Sequence, residues 1–166
     1  MNAEPLLNRI ATVLAEHGLE AVMVGNAAAA LHGAPVTTLD IDFMFRKTPT
    51  NMKKLKAVAQ SLQAVILKPY YPVSDLFRVV NDDQGIQLDF MPRLHGIKSF
   101  EGLRSRATGL RFGEHEVKVA SLADIIKSKR AAGRSRDLAV LDILEKTLNE
   151  QEKRENQKGP RGGAEA

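Results

Sequence analysis

Two aspartates within an otherwise apolar strand are the feature that most constrains this sequence. In the run VTTLDIDFMF, residues 36–45, they alternate with large apolar side chains. Because successive side chains of a β-strand point to opposite faces, Asp40 and Asp42 share one face. The other face is expected to be buried and carries Leu39, Ile41, Phe43 and Phe45. The Cα atoms of the two aspartates are then about 6.5–7 Å apart, so their carboxylates can converge on one divalent cation.

A second predicted strand carries a third acid. In IQLDFM, residues 86–91, Asp89 alternates with apolar neighbours in the same way. If the two strands pair with their buried faces matched, three carboxylates lie on one surface, where they repel one another unless cations neutralise them. Oxygen ligands in that number suit Mg²⁺ or Mn²⁺, so Asp40, Asp42 and Asp89 are the predicted metal ligands. The alternative is that they form the solvent-exposed side of half-buried strands.

A strand-to-helix junction lies upstream of these acids. The apolar run LEAVMV, residues 19–24, predicts a short strand that ends at Gly25, and the alanine-rich residues 26–32 predict a helix that begins at Asn26. Backbone N–H groups at the start of a helix attract phosphate groups. A triphosphate held at Gly25 and Asn26, with metal ions on the acids, would form a nucleotide site.

The order of the predicted elements indicates the fold class. Strands alternate with helices and include two hairpins, which predicts an α+β fold with a mixed sheet flanked by helices. We expect a single domain over residues 1–151, with a core at 20–120 and C-terminal helices at 121–151. Residues 152–166 lack a hydrophobic period and are rich in charged residues and glycine, which predicts a disordered tail.

Composition excludes several kinds of site. The chain contains no cysteine, which excludes disulfides and cysteine-ligated metals. Its net charge of +4, from 24 basic and 20 acidic residues, is compatible with a phosphate-bearing ligand or RNA, and equally with solubility alone. No apolar run approaches the roughly 20 residues of a membrane span, and the first residues lack the pattern of a secretion signal. We therefore expect a cytoplasmic protein with no membrane association.

Two segments carry a resemblance to a known superfamily. The stretch VMVGNAAAALHGAPVTTLDIDFMF resembles the first motif of the DNA polymerase β-type nucleotidyltransferases, and is most similar to small bacterial members related to abortive-infection and toxin–antitoxin systems. Asp89 fits the third acid of that superfamily, and VASLADIIKSKRAAGRSRDLAVLDIL is similar to its closing helices. The likeness spans about residues 20–145. The matching positions of the first motif are Gly25, Ala27, His32, Gly33, Thr38, Asp40 and Asp42.

The resemblance implies a minimal polymerase β-like fold and a reaction. A nucleoside monophosphate would pass from a nucleoside triphosphate (NTP) to an acceptor, with release of pyrophosphate. Asp40 and Asp42 would hold two metal ions, and Asp89 would ligate the catalytic ion and accept the proton of the attacking hydroxyl. Gly25 and Asn26 would bind the β- and γ-phosphates. The acceptor would be RNA, a protein or a small molecule, and an antitoxin-type protein is an implied partner.

The closing helices supply candidate cations for phosphate. Lys127 and Lys129 are both candidates, but two residues apart on a helix they do not share a face, and Lys129 aligns better with the lysine of the superfamily. A solvated helix face is the alternative for each. Arg134, Arg136 and Asp137 are expected to structure the turn between the last two helices.

Aromatic and imidazole side chains near the site have two interpretations each. His32, close to the end of its helix, is expected to serve packing and capping rather than ligand binding. Tyr70 and Tyr71 could stack on a base, although packing of a proline-rich loop on the core is the favoured interpretation.

Two positions depart from the superfamily pattern and motivate alternatives. Asn26 stands where a second glycine or a serine is usual, and Val36 stands where an arginine is frequent. Both favour a second hypothesis, a catalytically weak nucleotidyltransferase fold used as a binding or regulatory module. A third hypothesis is a basic RNA-binding domain, for which the terminal run KRENQKGPRGG is the support.

Overall fold

The computed structural model describes residues 4–68 and 75–165. The helices are α1 Glu4–His17, α2 Gly25–Leu31, α3 Pro49–Ser61, α4 Phe100–Arg106, α5 Leu122–Ala132 and α6 Ser135–Glu165. The strands are β1 Ala21–Val24, β2 Ile41–Phe45, β3 Val65–Leu67, β4 Phe77–Asn81, β5 Ile86–Met91, β6 Thr108–Phe112 and β7 His115–Val119. Among the described residues, no helix combines the length and the apolar character needed to cross a membrane.

The strands form one mixed sheet in the order β3-β4-β5-β2-β1-β7-β6. β2 runs parallel to β5, and β1 runs parallel to β7. The remaining neighbours are antiparallel, including the hairpins β4–β5 and β6–β7. This architecture confirms the predicted fold class, a mixed sheet accompanied by helices.

Aromatic packing under the centre of the sheet fixes its register. The rings of Phe43 and Phe90 stack with their centroids 5.1 Å apart, and Phe45 meets Phe90 edge-on at 5.9 Å. All three side chains are fully buried. A slip of one residue would move Phe43 out of the core and Asp42 into it, so burial of the rings holds the acids of β2 and β5 on the opposite face.

The first residue predicted on the buried face of β2 does not lie there. β2 begins only at Ile41, and Leu39 is 95% exposed. The side chain of Thr38 donates to the carbonyl oxygen of Asp40 at 3.0 Å and accepts from the Asp40 N–H at 3.3 Å. These local bonds satisfy backbone groups that would otherwise pair with a neighbouring strand, so β2 begins at Ile41, two residues after Leu39.

The predicted tail differs from the structure as well. α6 continues to Glu165 through the segment for which composition predicted disorder. Residues 152–158 are exposed on this helix. Their glutamate, glutamine, lysine and arginine are strong helix formers, so the lack of a hydrophobic period indicates an uncovered helix here rather than an irregular chain.

Candidate functional site

The three predicted acids converge on one face of the sheet. In the parallel register of β2 and β5, Asp42 lies directly opposite Asp89, and Asp40 stands just before β2. One carboxylate oxygen from each residue lies within 4.8 Å of the others. Three carboxylates at this separation match the oxygen donors that a divalent cation of the Mg²⁺ type prefers. The residues present therefore fit a metal ion.

The charges in this cluster also favour a bound cation. Burial raises the pKa of Asp42 to about 6, and the nearby charges of Asp89 and Asp40 add to the rise. The positive charges of Lys129 and Arg78 oppose it without cancelling it. The cluster therefore holds more negative charge than its neighbours neutralise, and a bound cation would relieve that excess.

A glycine turn presses against the second acid. Gly25 has a φ of +71°, a backbone angle that residues with a side chain rarely adopt. A Cβ added there would lie 2.6 Å from Asp42 Oδ2. Only a residue without a side chain allows the backbone to approach the carboxylate this closely. Asn26 follows directly, and its Oδ1 atom is buried with no hydrogen-bond partner among the described residues. The two residues predicted to bind phosphate thus stand beside the acids.

Arg78 is a member of the cluster that the sequence analysis did not single out. Its Nε donates to Asp89 Oδ1 at 2.8 Å and its Nη2 donates to Oδ2 at 3.1 Å. The hairpin pairing of β4 with β5 places the two residues opposite each other. A signal was present in the sequence, because the polar run Asp82–Gly85 is typical of a hairpin turn. Residues equidistant from such a turn face each other, and Arg78 and Asp89 are both four residues from it.

The two candidate lysines of α5 have different surroundings. Lys127 is exposed. The side chain of Lys129 is only 12% exposed, and its Nζ lies 3.7 Å from Asp137 Oδ1. Burial lowers the pKa of Lys129, while Asp137 and Asp42 partly restore it. Lys129 is therefore the lysine whose charge acts on the acids.

The turn between α5 and α6 is built around Asp137. This residue is 3% exposed and accepts a hydrogen bond from Arg134 Nε at 2.6 Å. Burial alone would raise its pKa, but the bond and charge of Arg134, with the charge of Lys129, lower it. Arg136 is exposed. The predicted structural grouping of this turn thus contains Arg134 and Asp137, joined by Lys129.

His32 connects three elements. Its Nε2 lies 2.7 Å from the carbonyl oxygen of Ala120, and its Nδ1 lies 3.2 Å from Gln151 Nε2. Since a carbonyl only accepts and an amide nitrogen only donates, the proton is on Nε2. These contacts favour the packing interpretation of His32. The other aromatic candidates, Tyr70 and Tyr71, lie outside the described residues.

Solved structures share this fold at low sequence identity. ANT(2'')-Ia in complex with adenylyl-2''-tobramycin aligns with a TM-score of 0.61 and 15% identity, covering 99% of each chain. TM1012 of Thermotoga maritima aligns with a TM-score of 0.55 and 18% identity over 88% of this chain and 92% of that one. A nucleotidyltransferase-like protein of Paracoccidioides brasiliensis aligns with a TM-score of 0.54 and 15% identity, over 85% and 74%. These likenesses identify the fold as that of the polymerase β-type nucleotidyltransferases.

Sequence comparison gives the family. No curated protein matches this chain. The sequence model of one family, described as "Nucleotidyl transferase of unknown function (DUF2204)", matches residues 4–159. That range includes the acids, the glycine turn and the α5–α6 junction. The chain therefore belongs to this nucleotidyl transferase family, which confirms the resemblance drawn from its motifs.

Proposed function

We propose that the protein is a metal-dependent nucleotidyltransferase that moves a nucleoside monophosphate from an NTP to a hydroxyl-bearing acceptor. The observation that carries the proposal is the convergence of Asp40, Asp42 and Asp89 beside the Gly25 turn. The family supports nucleotidyl transfer as the class of reaction. The proposal adds the metal, the roles of the residues and the activity itself.

In the proposed reaction the acceptor oxygen bonds to the α-phosphorus as the bond from that phosphorus to the bridging oxygen breaks. Pyrophosphate leaves with the bond electrons, and the hydroxyl proton passes to a nearby base. Asp40, Asp42 and Asp89 would hold the metal. When bound, divalent ions supply activation of the acceptor oxygen and neutralisation of the leaving group.

The protein's own groups would then position the substrates. The Gly25 backbone and the amide of Asn26 would bind the β- and γ-phosphates. Lys129 adds positive charge on the α5 side of the acids. Asp89 keeps one free lone pair on each oxygen after Arg78 has bound it, which is sufficient for one metal contact and one contact with the acceptor hydroxyl.

Three classes of acceptor are candidates. The complex of ANT(2'')-Ia contains an adenylylated small molecule, which motivates a small-molecule acceptor for this fold. RNA and protein acceptors, and an antitoxin-type partner, rest on the resemblance of the first motif to toxin–antitoxin proteins. All three acceptor classes therefore belong in the assay.

A labelling assay tests the proposal. The protein would be incubated with Mg²⁺ or Mn²⁺ and each α-labelled NTP, together with total RNA, a protein extract or tobramycin as acceptor. We expect label transfer by the wild type and a loss of about 10³-fold or more in Asp42→Asn, since the change removes a predicted ligand of both ions. The matched control is Asp142→Asn, an exposed acid of α6, which should label like the wild type.

Equal labelling by the wild type and Asp42→Asn would contradict this assignment. The second candidate function is a binding or regulatory module, and the buried, unpartnered Oδ1 of Asn26 favours it because the usual glycine or serine avoids that cost. Calorimetry with ATP, CTP, GTP and UTP in the presence of Mg²⁺ separates the two. A measurable heat of nucleotide binding without label transfer supports a binding module. A heat of binding together with label transfer supports the enzyme.

A further inference from the structure

Arg78 holds the third carboxylate of the site, that of Asp89, through both of its oxygens. We propose that Arg78 is a positioning residue that fixes Asp89 in the orientation from which it faces Asp40 and Asp42, and that supplies part of the positive charge this carboxylate requires. The inference rests on the proposed function, since it concerns how the three acids receive a metal ion.

Sheet register gives the arrangement its rigidity. Arg78 lies opposite Asp89 in the antiparallel pair, and Asp89 lies opposite Asp42 in the parallel pair. The three residues thus form one row across β4, β5 and β2. A planar guanidinium bound to both carboxylate oxygens fixes the plane of the carboxylate, which a lysine cannot do. The side chain of Asp89 is 5% exposed and that of Arg78 is 34% exposed, so the carboxylate is covered.

The two hydrogen bonds from Arg78 leave Asp89 able to bind a metal ion through one oxygen only. Each carboxylate oxygen has two lone pairs, and Arg78 occupies one on each oxygen. One lone pair per oxygen remains free. Asp89 can therefore contact an ion through a single oxygen, whereas the side on which both oxygens could chelate an ion together is filled by the guanidinium.

Charge makes the role of Arg78 distinguishable from a purely structural one. The site holds three carboxylates within 4.8 Å, and the hydrogen bond from Arg78 to Asp89 also raises the pKa of the arginine. Removing this positive charge leaves a more negative cluster, which attracts a divalent cation more strongly. It also frees Asp89 to rotate. We therefore expect tighter metal binding together with slower nucleotidyl transfer, whereas loss of a merely structural residue would weaken both.

Titration with Mn²⁺ alone, followed by electron paramagnetic resonance, tests this. Arg78→Met should bind Mn²⁺ about tenfold more tightly than the wild type, from the Coulomb energy of one charge near the ion. Arg78→Lys keeps the charge and should bind within about twofold of the wild type. The matched control is Arg106→Met, because Arg106 Nε makes a 2.8 Å bond to a comparably buried Asp124 and should not alter Mn²⁺ affinity.

Thermal unfolding provides a second readout. Arg78→Met and Arg106→Met should both melt below the wild type in EDTA, because each leaves a buried carboxylate unpaired. Added Mg²⁺ should raise the melting temperature more in Arg78→Met than in the other two proteins. If Arg78→Met does not fold, Arg78→Gln replaces it, because its amide keeps one hydrogen-bond donor for Asp89. Arg78→Gln also lacks the positive charge, so the same increase in Mn²⁺ affinity is expected.

The outcomes separate the inference from the proposed function. If the wild type binds Mn²⁺ and Arg78→Met binds it equally or more weakly, the inference is overturned and the proposed function stands. If the wild type binds neither Mn²⁺ nor Mg²⁺, the proposed function fails and the inference fails with it.

Discussion

Two clusters of charged side chains in this protein are built on opposite charge balances. At β2 and β5, three carboxylates converge, and Arg78 hydrogen-bonds to one of them, that of Asp89. At the α5–α6 junction, one carboxylate, Asp137, is bound by both Arg134 and Lys129. In the acidic cluster the carboxylates outnumber the cations bonded to them, whereas at the junction two cations are bonded to one carboxylate.

The difference separates an ion-pair network that serves the fold from one suited to a ligand. Asp137 has a lowered pKa, so its partners stabilise its charged form. Asp42 has a raised pKa, so its surroundings destabilise its charged form. Buried charges that are destabilised in this way are typical of functional sites, where a bound ligand stabilises the charged form. Lys129 belongs to both clusters, because its charge also acts on Asp42.

The largest effect is expected from breaking the junction. Asp137→Asn removes the buried partner of Arg134 and Lys129 and should lower the free energy of unfolding by about 3–5 kcal/mol, the usual cost of breaking a buried pair. Urea denaturation at pH 7 measures it. The control is Asp142→Asn, whose pair with Lys146 has side chains 75% and 74% exposed and should contribute less than about 0.5 kcal/mol.

If Asp137→Asn unfolded at the same urea concentration as Asp142→Asn, the α5–α6 junction would not be a stabilising network. The proposed difference between the two clusters would then be contradicted.

A smaller effect is expected from titrating the acidic cluster in EDTA. The pKa of Asp42 is about 6 in the folded protein, against an ordinary value of 3.8 for an aspartate side chain. The folded state therefore binds this proton more tightly than the unfolded chain. Ionisation of Asp42 costs nothing below about pH 4 and up to about 2–3 kcal/mol once the pH has risen past 6. Metal-free Asp42→Asn should accordingly exceed the wild type in stability at pH 7 and match it near pH 4.

Mg²⁺ should reverse the trend, because a carboxylate must lose its proton to bind metal. The rise in melting temperature on adding Mg²⁺ should therefore grow between pH 5 and pH 7 in the wild type and be much smaller in Asp42→Asn. A Mg²⁺ effect that is independent of pH would remove Asp42 from the predicted ligands.

Local patterns were sufficient to predict most of the acidic cluster. Alternation in the two strands placed Asp40, Asp42 and Asp89 on polar faces, because that pattern depends only on the period of a β-strand. Arg78 was within reach of the same reasoning once the hairpin turn was located. Leu39 was wrongly predicted to be buried, because the bonds made by the Thr38 side chain delay the start of β2 until Ile41.

Long-range packing determined the rest and could not be predicted from the sequence. The parallel pairing of β2 with β5 joins segments that are separated by two other strands and a helix. The choice between Lys127 and Lys129 depends on how α5 packs, since helical periodicity gives only their angular separation. The helical course of residues 152–158 follows helix propensity, which composition alone did not separate from disorder.

The smallest of the expected effects concerns the residue that joins the two clusters. Lys129 is 12% exposed and acts on Asp42, whereas Lys127 is exposed two residues away. If Lys129 adds its charge to a bound triphosphate, Lys129→Met should weaken binding of a non-hydrolysable NTP with Mg²⁺ about tenfold, because a poorly solvated charge interacts strongly with phosphate. Lys127→Met, the matched control, should change it by less than about twofold. Calorimetry at a temperature where both variants are folded measures the difference, and equal losses in both would limit Lys129 to the junction with Asp137.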